Sequence, residues 1–291
     1  MIISMTGYGK AVTQLSDKKI TVEIRTLNSK NLDLNLRMSN AYRETELDLR
    51  KNAAKILKRG KVDFSLHVED SGAASIPALN IEVIDTYLKQ LEQIELVKVT
   101  STNHKIDLLK VISQFPDIFK PQDDDLSDEV KETIFSTAQE AIEAVMEFRK
   151  SEGNQLEFDF NSRISTLTNL LNEVITIDEE RLKDVRVRLE KAVKEVKEEV
   201  DSNRFEQELI YYLEKYDITE EKVRLKNHLN YFVETMKQPV SQGKKLGFIS
   251  QEIGREINTI GSKANHAPMQ KLVVQMKDEL EKIKEQLLNV L

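Results

Sequence analysis

Three segments within the first 70 residues alternate strictly between apolar and polar side chains: ITVEIRTLN, LDLNLRM and KVDFSLHVE. A side-chain period of two places the apolar residues on one face of a strand and the polar residues on the other. Sheets with one covered and one polar face are typically antiparallel. The alternation therefore predicts an N-terminal antiparallel sheet with one face covered.

From about residue 80 the apolar residues recur every three or four positions, which is the spacing of an amphipathic helix. A further helix is predicted over 41–58, between the second and third strands. Few Gly (9) and Pro (5) in 291 residues agree with a helix-rich chain. The predicted fold class is α+β: an N-terminal antiparallel sheet with helices, a long helical coiled-coil-like middle and an all-helical C-terminal domain.

The pattern divides the chain into three predicted units. An N-terminal α+β domain covers 1–153 and ends at a possible helix break at Gly153. A long helical connector covers 154–204, where heptad spacing favours coiled-coil-like packing. A C-terminal helical domain covers 205–291, and its last helix carries an apolar ladder that suits a partner helix or a subunit contact.

Composition excludes several kinds of chemistry. The chain has no cysteine, so disulfides, thiolate nucleophiles and sulfur-ligated metal centres are ruled out. No signal peptide and no apolar run long enough to span a membrane is recognised. We therefore expect a cytoplasmic protein without a membrane partner.

Charge is distributed unevenly along the chain. The whole chain carries a net −7, but residues 1–65 hold 13 Lys and Arg against 7 Asp and Glu. An acidic total argues against general affinity for nucleic acid, whereas a basic first segment leaves room for a local basic surface.

The segment FISQEIGREINTIGSK, residues 248–263, combines a helical apolar face with amides, hydroxyls, carboxylates and cations. Glu252 and Glu256 are four residues apart and therefore adjacent on the helix, where like charges repel. Arg255 or a divalent cation could offset that repulsion, because carboxylate oxygens are suitable metal ligands. The alternative is a solvated network of surface ion pairs.

In the preceding helix, predicted over 219–237, Glu221, Arg224 and His228 line one side. If the two helices form a hairpin, Glu221 and His228 could converge with the two glutamates of the next helix. Such a set suits phosphodiester hydrolysis, in which a metal activates water and His228 transfers a proton. The alternative is that Glu221 simply holds His228 by a hydrogen bond.

A second set of polar residues lies at the strand ends of the first segment. Arg25, Asn28 and Lys30 end one strand, and Arg59 and Lys61 surround a turn. Outward cations on a sheet can hold a phosphate backbone. The alternative is a charged strand edge that only prevents aggregation. Few aromatic residues are interleaved, so base stacking has little support.

Motifs at both ends of the chain carry a family resemblance. They are SMTGYG, VEIRTLNSKNLDL and RGKVDFSL near the N-terminus, and NRFEQEL, DITEEKVRLKNHL and GKKLGFISQEIGREINTIGSK towards the C-terminus. In order and spacing they resemble the YicC/YloC family of bacterial proteins. The resemblance implies an endoribonuclease of bacterial RNA turnover that requires a divalent metal cation, Mn or Mg. It also implies self-association as a hexamer, with RNA in an internal channel.

Together with the resemblance, these patterns give a set of candidate site residues. The catalytic candidates are Glu221, His228, Glu252, Arg255 and Glu256. The metal candidates are Glu252, Glu256, Glu221 and His228. The RNA-binding candidates are Arg25, Asn28, Lys30, Arg59, Lys61, Arg224, Asn258 and Lys263. The chain departs from the family pattern at Gly247, Gly254 and His266.

Two alternatives remain open at this point. The protein could be an oligomeric RNA-binding adaptor that modulates another RNA-decay enzyme without chemistry of its own. Within catalysis, His228 could deprotonate the ribose 2′-OH without a metal in the chemical step, which would leave a 2′,3′-cyclic phosphate. Metal-activated water would instead leave a 5′-phosphate and a 3′-hydroxyl.

Overall fold

The computed structural model describes residues 1–70, 79–93, 110–115, 117–119, 126–195 and 202–291. Part of the predicted connector, residues 196–201, lies outside the described residues, and so do several side chains of its heptad pattern. The α+β fold class is confirmed by one four-stranded sheet combined with long helices.

The sheet has the strand order β1-β2-β4-β3. Its strands are β1 (Gly7–Gln14), β2 (Lys18–Leu27), β3 (Leu32–Arg37) and β4 (Gly60–Asp70). The pairs β1/β2 and β2/β4 are antiparallel, as predicted, but β3 runs parallel to β4. The prediction of a wholly antiparallel sheet is therefore wrong at this edge. The reason is the helical segment between β3 and β4, which crosses over and brings the chain back in the same direction.

That crossover consists of a 3-10 helix, Asn40–Thr45, followed by α1 (Glu46–Leu57). Helix α1 and the first part of a later helix cover one face of the sheet, where the alternating apolar side chains form a core. Ile20, Val22 and Ile24 of β2 are fully buried there, whereas Arg25 points to the opposite, polar face. The alternation in the sequence thus gives one buried apolar face and one polar face of the sheet, as predicted.

The remaining described helices are α2 (Ile81–Glu92), α3 (Asp128–Glu195), α4 (Ser202–Tyr216), α5 (Thr219–Met236), α6 (Gly243–Lys263) and α7 (Ala267–Leu287). Helix α3 has 68 residues, so it is about 100 Å long. It passes through Gly153 without interruption, so the predicted break is not found. Glycine is required there because a Cβ would lie 2.2 Å from the carbonyl oxygen of Ile2.

A second core forms where the middle of α3 packs with α5, α6 and α7. Phe160 and Leu171 of α3 are buried in it beside Phe232 of α5 and Ile257 of α6. Residues 160–174 therefore contribute to the helical core, although the sequence assigned them to the connector. Helix α3 belongs to both cores, which fixes the sheet relative to the helices.

The two chain ends also join the cores. The backbone N–H of Leu291 donates to the carbonyl of Ile3 (2.9 Å), and that of Met5 donates to Asn289 (2.8 Å). The N–H of Ser4 donates to the carbonyl of Arg149 in α3 (3.1 Å). This junction brings the loop ends of the sheet next to the start of α6. Among the described helices, none combines the length and apolar character that crossing a membrane requires.

Candidate functional site

Helices α5 and α6 form the predicted hairpin, and one ion pair fixes their register. Lys263 Nζ donates to Glu221 Oε1 at 2.8 Å. Seven residues along each helix is almost two full turns, or about 10 Å. Because the helices are antiparallel, this step places His228 level with Glu256 on the same side as the ion pair. By this count the two candidates occupy matching positions along the hairpin, and no hydrogen bond joins them in the part of the chain that the structure describes.

Glu256 is the most unusual carboxylate of the hairpin. The residue is only 4% exposed, and among the described residues it makes no hydrogen bond or ion pair. Its carboxylate oxygens are not among the described buried polar atoms that lack a partner, so they still reach solvent and are open to a cation. Glu252, one turn earlier, is half exposed and only loosely paired with Arg255, at 3.9 Å.

No hydrogen bond joins Glu221 to His228 in the described residues, although the simpler alternative predicted one. Glu221 is buried and uses Oε1 for Lys263, while its Oε2 is buried without a partner. His228 is half-buried and has no hydrogen-bond partner within the described part of the chain. Lys263, a candidate for phosphate binding, is engaged by Glu221 instead.

The metal candidates do not assemble into a complete site. In the described ranges, no group of three or more His, Asp or Glu side chains is arranged to hold a metal ion. The described side chains of one chain therefore do not by themselves complete a cation site. Mg²⁺ is commonly bound by one or two carboxylates and completed by substrate phosphates and water. Glu252 and Glu256, adjacent on α6, suit that arrangement.

Three further candidates lie on outer surfaces. Arg255 is 73% exposed, and Arg224 is exposed and paired with Glu220. Asn258 is exposed as well; two residues from Glu256, it is rotated by about 200° around the helix. Asn258 is thus not on the side that carries Glu256 and His228.

Part of the predicted basic set lines a cleft between the two cores. Asn28, Lys30 and Arg59 form one wall of this cleft, whose volume is about 620 Å³. Arg59 is held in place by a hydrogen bond from its Nε to the carbonyl of Ser29, at 3.0 Å. The opposite wall is the start of α6 up to Gln251. Around the helix, Arg255 and Asn258 lie within about 40° of Gln251, whereas Glu252 is turned by about 100° and Glu256 by about 140°. The cleft therefore continues along the side of α6 that carries Arg255 and Asn258.

Arg25 and Lys61, in contrast, are not part of this cleft. Arg25 lies on the polar face of the sheet, where its Nε donates to Glu23 at 2.8 Å and its guanidinium lies over Tyr8. Lys61 is exposed. The separation follows from the strand geometry, because successive side chains of β2 and β4 point to opposite faces, whereas Asn28 and Lys30 belong to the loop after β2.

Three residues of the cleft were missed by sequence reasoning: Lys244, Phe248 and Lys284. A signal existed for the first, because the first turn of α6 contains two lysines and no acidic residue. Phe248 is 63% exposed, although it stands among buried isoleucines. Lys284 is on a different helix, and no local pattern connects it with the cleft.

The far end of the hairpin contains a closed ion network. The buried carboxylate of Asp178 pairs with Arg181 (2.8 Å) and with Lys222 (2.7 Å). Arg181 also donates to the carbonyl of Tyr216 at 2.6 Å. Hydrogen bonds from Thr219, together with nearby lysines, lower the pKa of the Asp217 carboxyl. This end of the hairpin holds the α3, α5 and α6 helices together.

Comparison with known proteins covers nearly the whole chain. A family model described as the N-terminal region of endoribonuclease YicC-like proteins matches residues 2–158, and one for their C-terminal part matches residues 174–291. A protein of Clostridioides difficile (strain 630) named probable endoribonuclease YicC is 32% identical, with both chains covered completely. A protein of the same name from Haemophilus influenzae is 27% identical, again over the full length of both.

Proposed function

The chain belongs to the YicC-like endoribonuclease family, and from that premise we propose that it cleaves RNA internally with the help of Mn²⁺ or Mg²⁺. The observation that carries the proposal is Glu256, a buried carboxylate without a described cationic partner. It is level with His228, one turn from Glu252, on a helix whose start lies in a basic cleft. An RNA strand that leaves this cleft along α6 passes Arg255 and has to turn around the helix to reach the carboxylates.

Each side chain has a defined task in this proposal. Glu252 and Glu256 would hold the divalent cation. When bound, the cation supplies a Lewis acid that activates water and offsets charge on the phosphate oxygens. The exposed guanidinium of Arg255 pairs with a phosphate, and His228 moves a proton at the scissile bond. The Glu221–Lys263 pair keeps the two helices in register.

The direct test substitutes the carboxylates in the purified protein. We expect Glu256→Gln and Glu252→Gln each to reduce cleavage of a labelled RNA by about 100-fold or more, with RNA binding kept. Glu234→Gln is the matched control, because Glu234 is an exposed glutamate of α5; its cleavage should be unchanged. Equal cleavage by all three variants would contradict the proposed active site and point to a contaminating nuclease.

The chemical route is decided by the product ends. Metal-activated water predicts 5′-phosphate and 3′-hydroxyl ends and complete inhibition by EDTA. Cyclic 2′,3′-phosphate ends formed in the presence of EDTA would instead identify His228 as the base that deprotonates the 2′-OH. In that case His228→Gln should abolish cleavage, whereas Glu252→Gln should not.

The adaptor alternative predicts a different pattern. An adaptor would bind RNA but would leave it intact at every metal concentration, and it would change cleavage only when a separate RNA-decay enzyme is added. Cleavage by the purified native chain that is lost in Glu256→Gln would exclude it.

The proposal includes self-association, with a hexamer as the expected state, and action in cytoplasmic RNA turnover, where other RNA-decay proteins are possible partners. Apolar side chains exposed on α3 and α4 support an association surface: Val187 is 62%, Ile210 is 55% and Tyr211 is 56% exposed. Light scattering of the purified protein measures the subunit number, and a monomer at all concentrations would contradict this part.

A further inference from the structure

The cleft between the two cores carries an excess of positive charge. Its described lining includes Lys30, Arg59, Lys244 and Lys284, and no Asp or Glu. Lys30 and Lys244 have no ion-pair partner in the part of the chain that the structure describes. Lys284 pairs with Glu281 at 2.7 Å, a residue that lies outside the lining. Within the described residues, Lys30 and Lys244 are thus cations of the cleft that the protein does not neutralise, whereas Lys284 has an acidic partner.

The start of α6 adds to this excess. The helix has no side-chain cap, and its first turn contains lysines where acidic residues are favoured. The first N–H of the helix, that of Gly243, already donates to the carbonyl oxygen of Leu291 (3.2 Å). Cations oppose the positive end of the helix dipole, whereas an anion there interacts favourably with the dipole. The arrangement is unfavourable for the isolated helix and becomes favourable when an anion binds.

A buried cation stands directly behind the cleft wall. Arg149 of α3 is completely buried, and no carboxylate in the described ranges pairs with it. Its guanidinium donates to the carbonyls of Leu57 (3.1 Å), Met5 (3.1 Å) and Arg59 (3.3 Å). Burial lowers the pKa of Arg149 to about 10, so it remains charged near neutral pH. Because Met5 and Arg59 line the cleft, Arg149 both fixes its wall and adds to its positive potential.

The cleft also contains an exposed aromatic ring. Phe248 is 63% exposed beside Lys244 and Gln251. Cations that follow a backbone, with an aromatic side chain on which a base can stack, are the combination that binds single-stranded nucleic acid. A free phosphate ion would use the cations but not the ring.

We propose that this cleft binds single-stranded RNA, with Lys30, Lys244 and Lys284 on backbone phosphates and Phe248 stacked on a base. The proposal rests on the proposed function, because it takes RNA as the ligand, and it assigns three residues beyond the candidates found from the sequence. Arg149 acts as a positioning residue for Arg59. The bound strand then continues along the side of α6 that carries Gln251, Arg255 and Asn258.

The experiment measures binding of a short 2′-O-methyl oligoribonucleotide by fluorescence anisotropy, in EDTA and over a range of KCl concentrations. The probe has no free 2′-OH, so binding is observed without cleavage. For Lys244→Gln and for Lys284→Gln we expect about a tenfold higher Kd. The slope of log K against log salt should fall by roughly 0.7 for each lost phosphate contact.

Two matched variants separate the contributions. Phe248→Ala should weaken binding by about tenfold while leaving the salt slope unchanged, because stacking releases no counterions. Lys271→Gln, an exposed lysine elsewhere on α7, should bind like the native chain. The proposal would be overturned if Lys244→Gln and Lys284→Gln both bound the probe with native affinity and native salt slope. It would also be overturned if Phe248→Ala bound the probe with native affinity and orthophosphate alone displaced the probe.

Failure of the endoribonuclease proposal and failure of the cleft assignment would give different results. If the native chain binds the probe through these residues but never cleaves RNA, the cleft assignment stands and the endoribonuclease proposal fails. If cleavage persists with unchanged KM in Lys244→Gln and Lys284→Gln, the active site stands and the cleft assignment fails.

Discussion

The two ends of helix α6 differ in how their charges are compensated. At the Lys263 end, Glu221 pairs with Lys263, and Asp178 pairs with Arg181 and Lys222. At the Gly243 end, Lys244 meets Lys30 across a cleft whose described lining has no carboxylate. The same helix thus begins in a region of unmatched positive charge and ends in a region of paired charge.

The difference separates structural polar groups from groups available to a ligand. Buried ions are tolerated when they are paired and hydrogen-bonded, and the network around Asp178 meets that condition. Cations that converge without acidic partners repel one another, so their arrangement costs stability unless an anion binds. We infer that the Lys263 end holds the helices together and that the Gly243 end serves binding.

The largest expected effect comes from removing the buried cation behind the cleft. Arg149→Met removes the described donor to the carbonyl of Arg59, whereas the carbonyl of Leu57 keeps the N–H of Arg59 (2.6 Å) and that of Met5 keeps the hydroxyl of Thr26 (3.0 Å). A buried acceptor left unpaired costs about 1–3 kcal/mol, and the packing of a fully buried side chain is changed as well, so we expect the free energy of unfolding to fall by roughly 3 kcal/mol. Chemical denaturation followed by circular dichroism measures it.

Arg149→Lys is the control that distinguishes positioning from stability alone. It keeps the charge but cannot reach all acceptors, so part of the stability should return. If Arg149 positions Arg59, the salt slope of oligonucleotide binding should recover with the lysine and stay reduced with methionine. Identical slopes in the native chain and in a folded Arg149→Met would contradict this role.

The second expected effect concerns the paired end. Lys263→Met leaves the buried carboxylate of Glu221 without its partner, and we expect a loss of about 1–3 kcal/mol in the free energy of unfolding. Adding Glu221→Gln should restore part of that loss, because the uncompensated charge is removed. The double-mutant cycle measures the coupling. Zero coupling would show that this pair does not fix the register of the hairpin.

Much of this architecture follows from local sequence patterns. The alternation in β2 and the isoleucine spacing of α6 each depend on residues a few positions apart, so the strand, the helix and its buried face were predictable. The sequence suggested that α5 and α6 could form a hairpin. The register of that hairpin became known only from the Glu221–Lys263 ion pair in the structure. That register is what places His228 opposite Glu256.

What was not predictable depends on contacts between distant positions. The parallel pairing of β3 with β4 follows from how α1 crosses the sheet, and α3 passes Gly153 because the chain start packs against that glycine. Arg149 looks like one more charged residue of a helix until the structure surrounds it with carbonyls. Lys284 reaches the cleft only through the packing of α7 on α6.

A substitution with a smaller expected effect, Gly247→Ala, tests whether the cleft side of α6 is open. A Cβ at Gly247 would meet no atom within 4 Å, and glycine inside a helix costs about 0.5–1 kcal/mol relative to alanine. Gly247→Ala should therefore raise the free energy of unfolding by about that amount.

Gly254→Ala is the comparison on the packed side of the same helix. Its Cβ would lie 3.1 Å from Cδ2 of Leu280, so part of the gain in helix propensity should be lost to displacement of that side chain. A loss of stability in Gly247→Ala, measured by chemical denaturation, would show that this side of α6 is covered rather than open.

The smallest effect concerns pH at the paired end. Hydrogen bonds from the Thr219 hydroxyl (2.7 Å) and backbone N–H (3.0 Å) favour the ionised carboxyl of Asp217, so its folded pKa lies below its unfolded pKa. The stability it contributes is complete above the unfolded pKa, about 3.9, and is lost as the pH falls through the folded value. Because the group is exposed, we expect it to contribute only a few tenths of a kcal/mol to the free energy of unfolding.

Asp217→Asn should be slightly less stable than the native chain near neutral pH, and the difference should shrink in acid. A difference that is independent of pH would mean that Asp217 acts as a neutral hydrogen-bond acceptor and that its charge plays no part in holding this end of the hairpin.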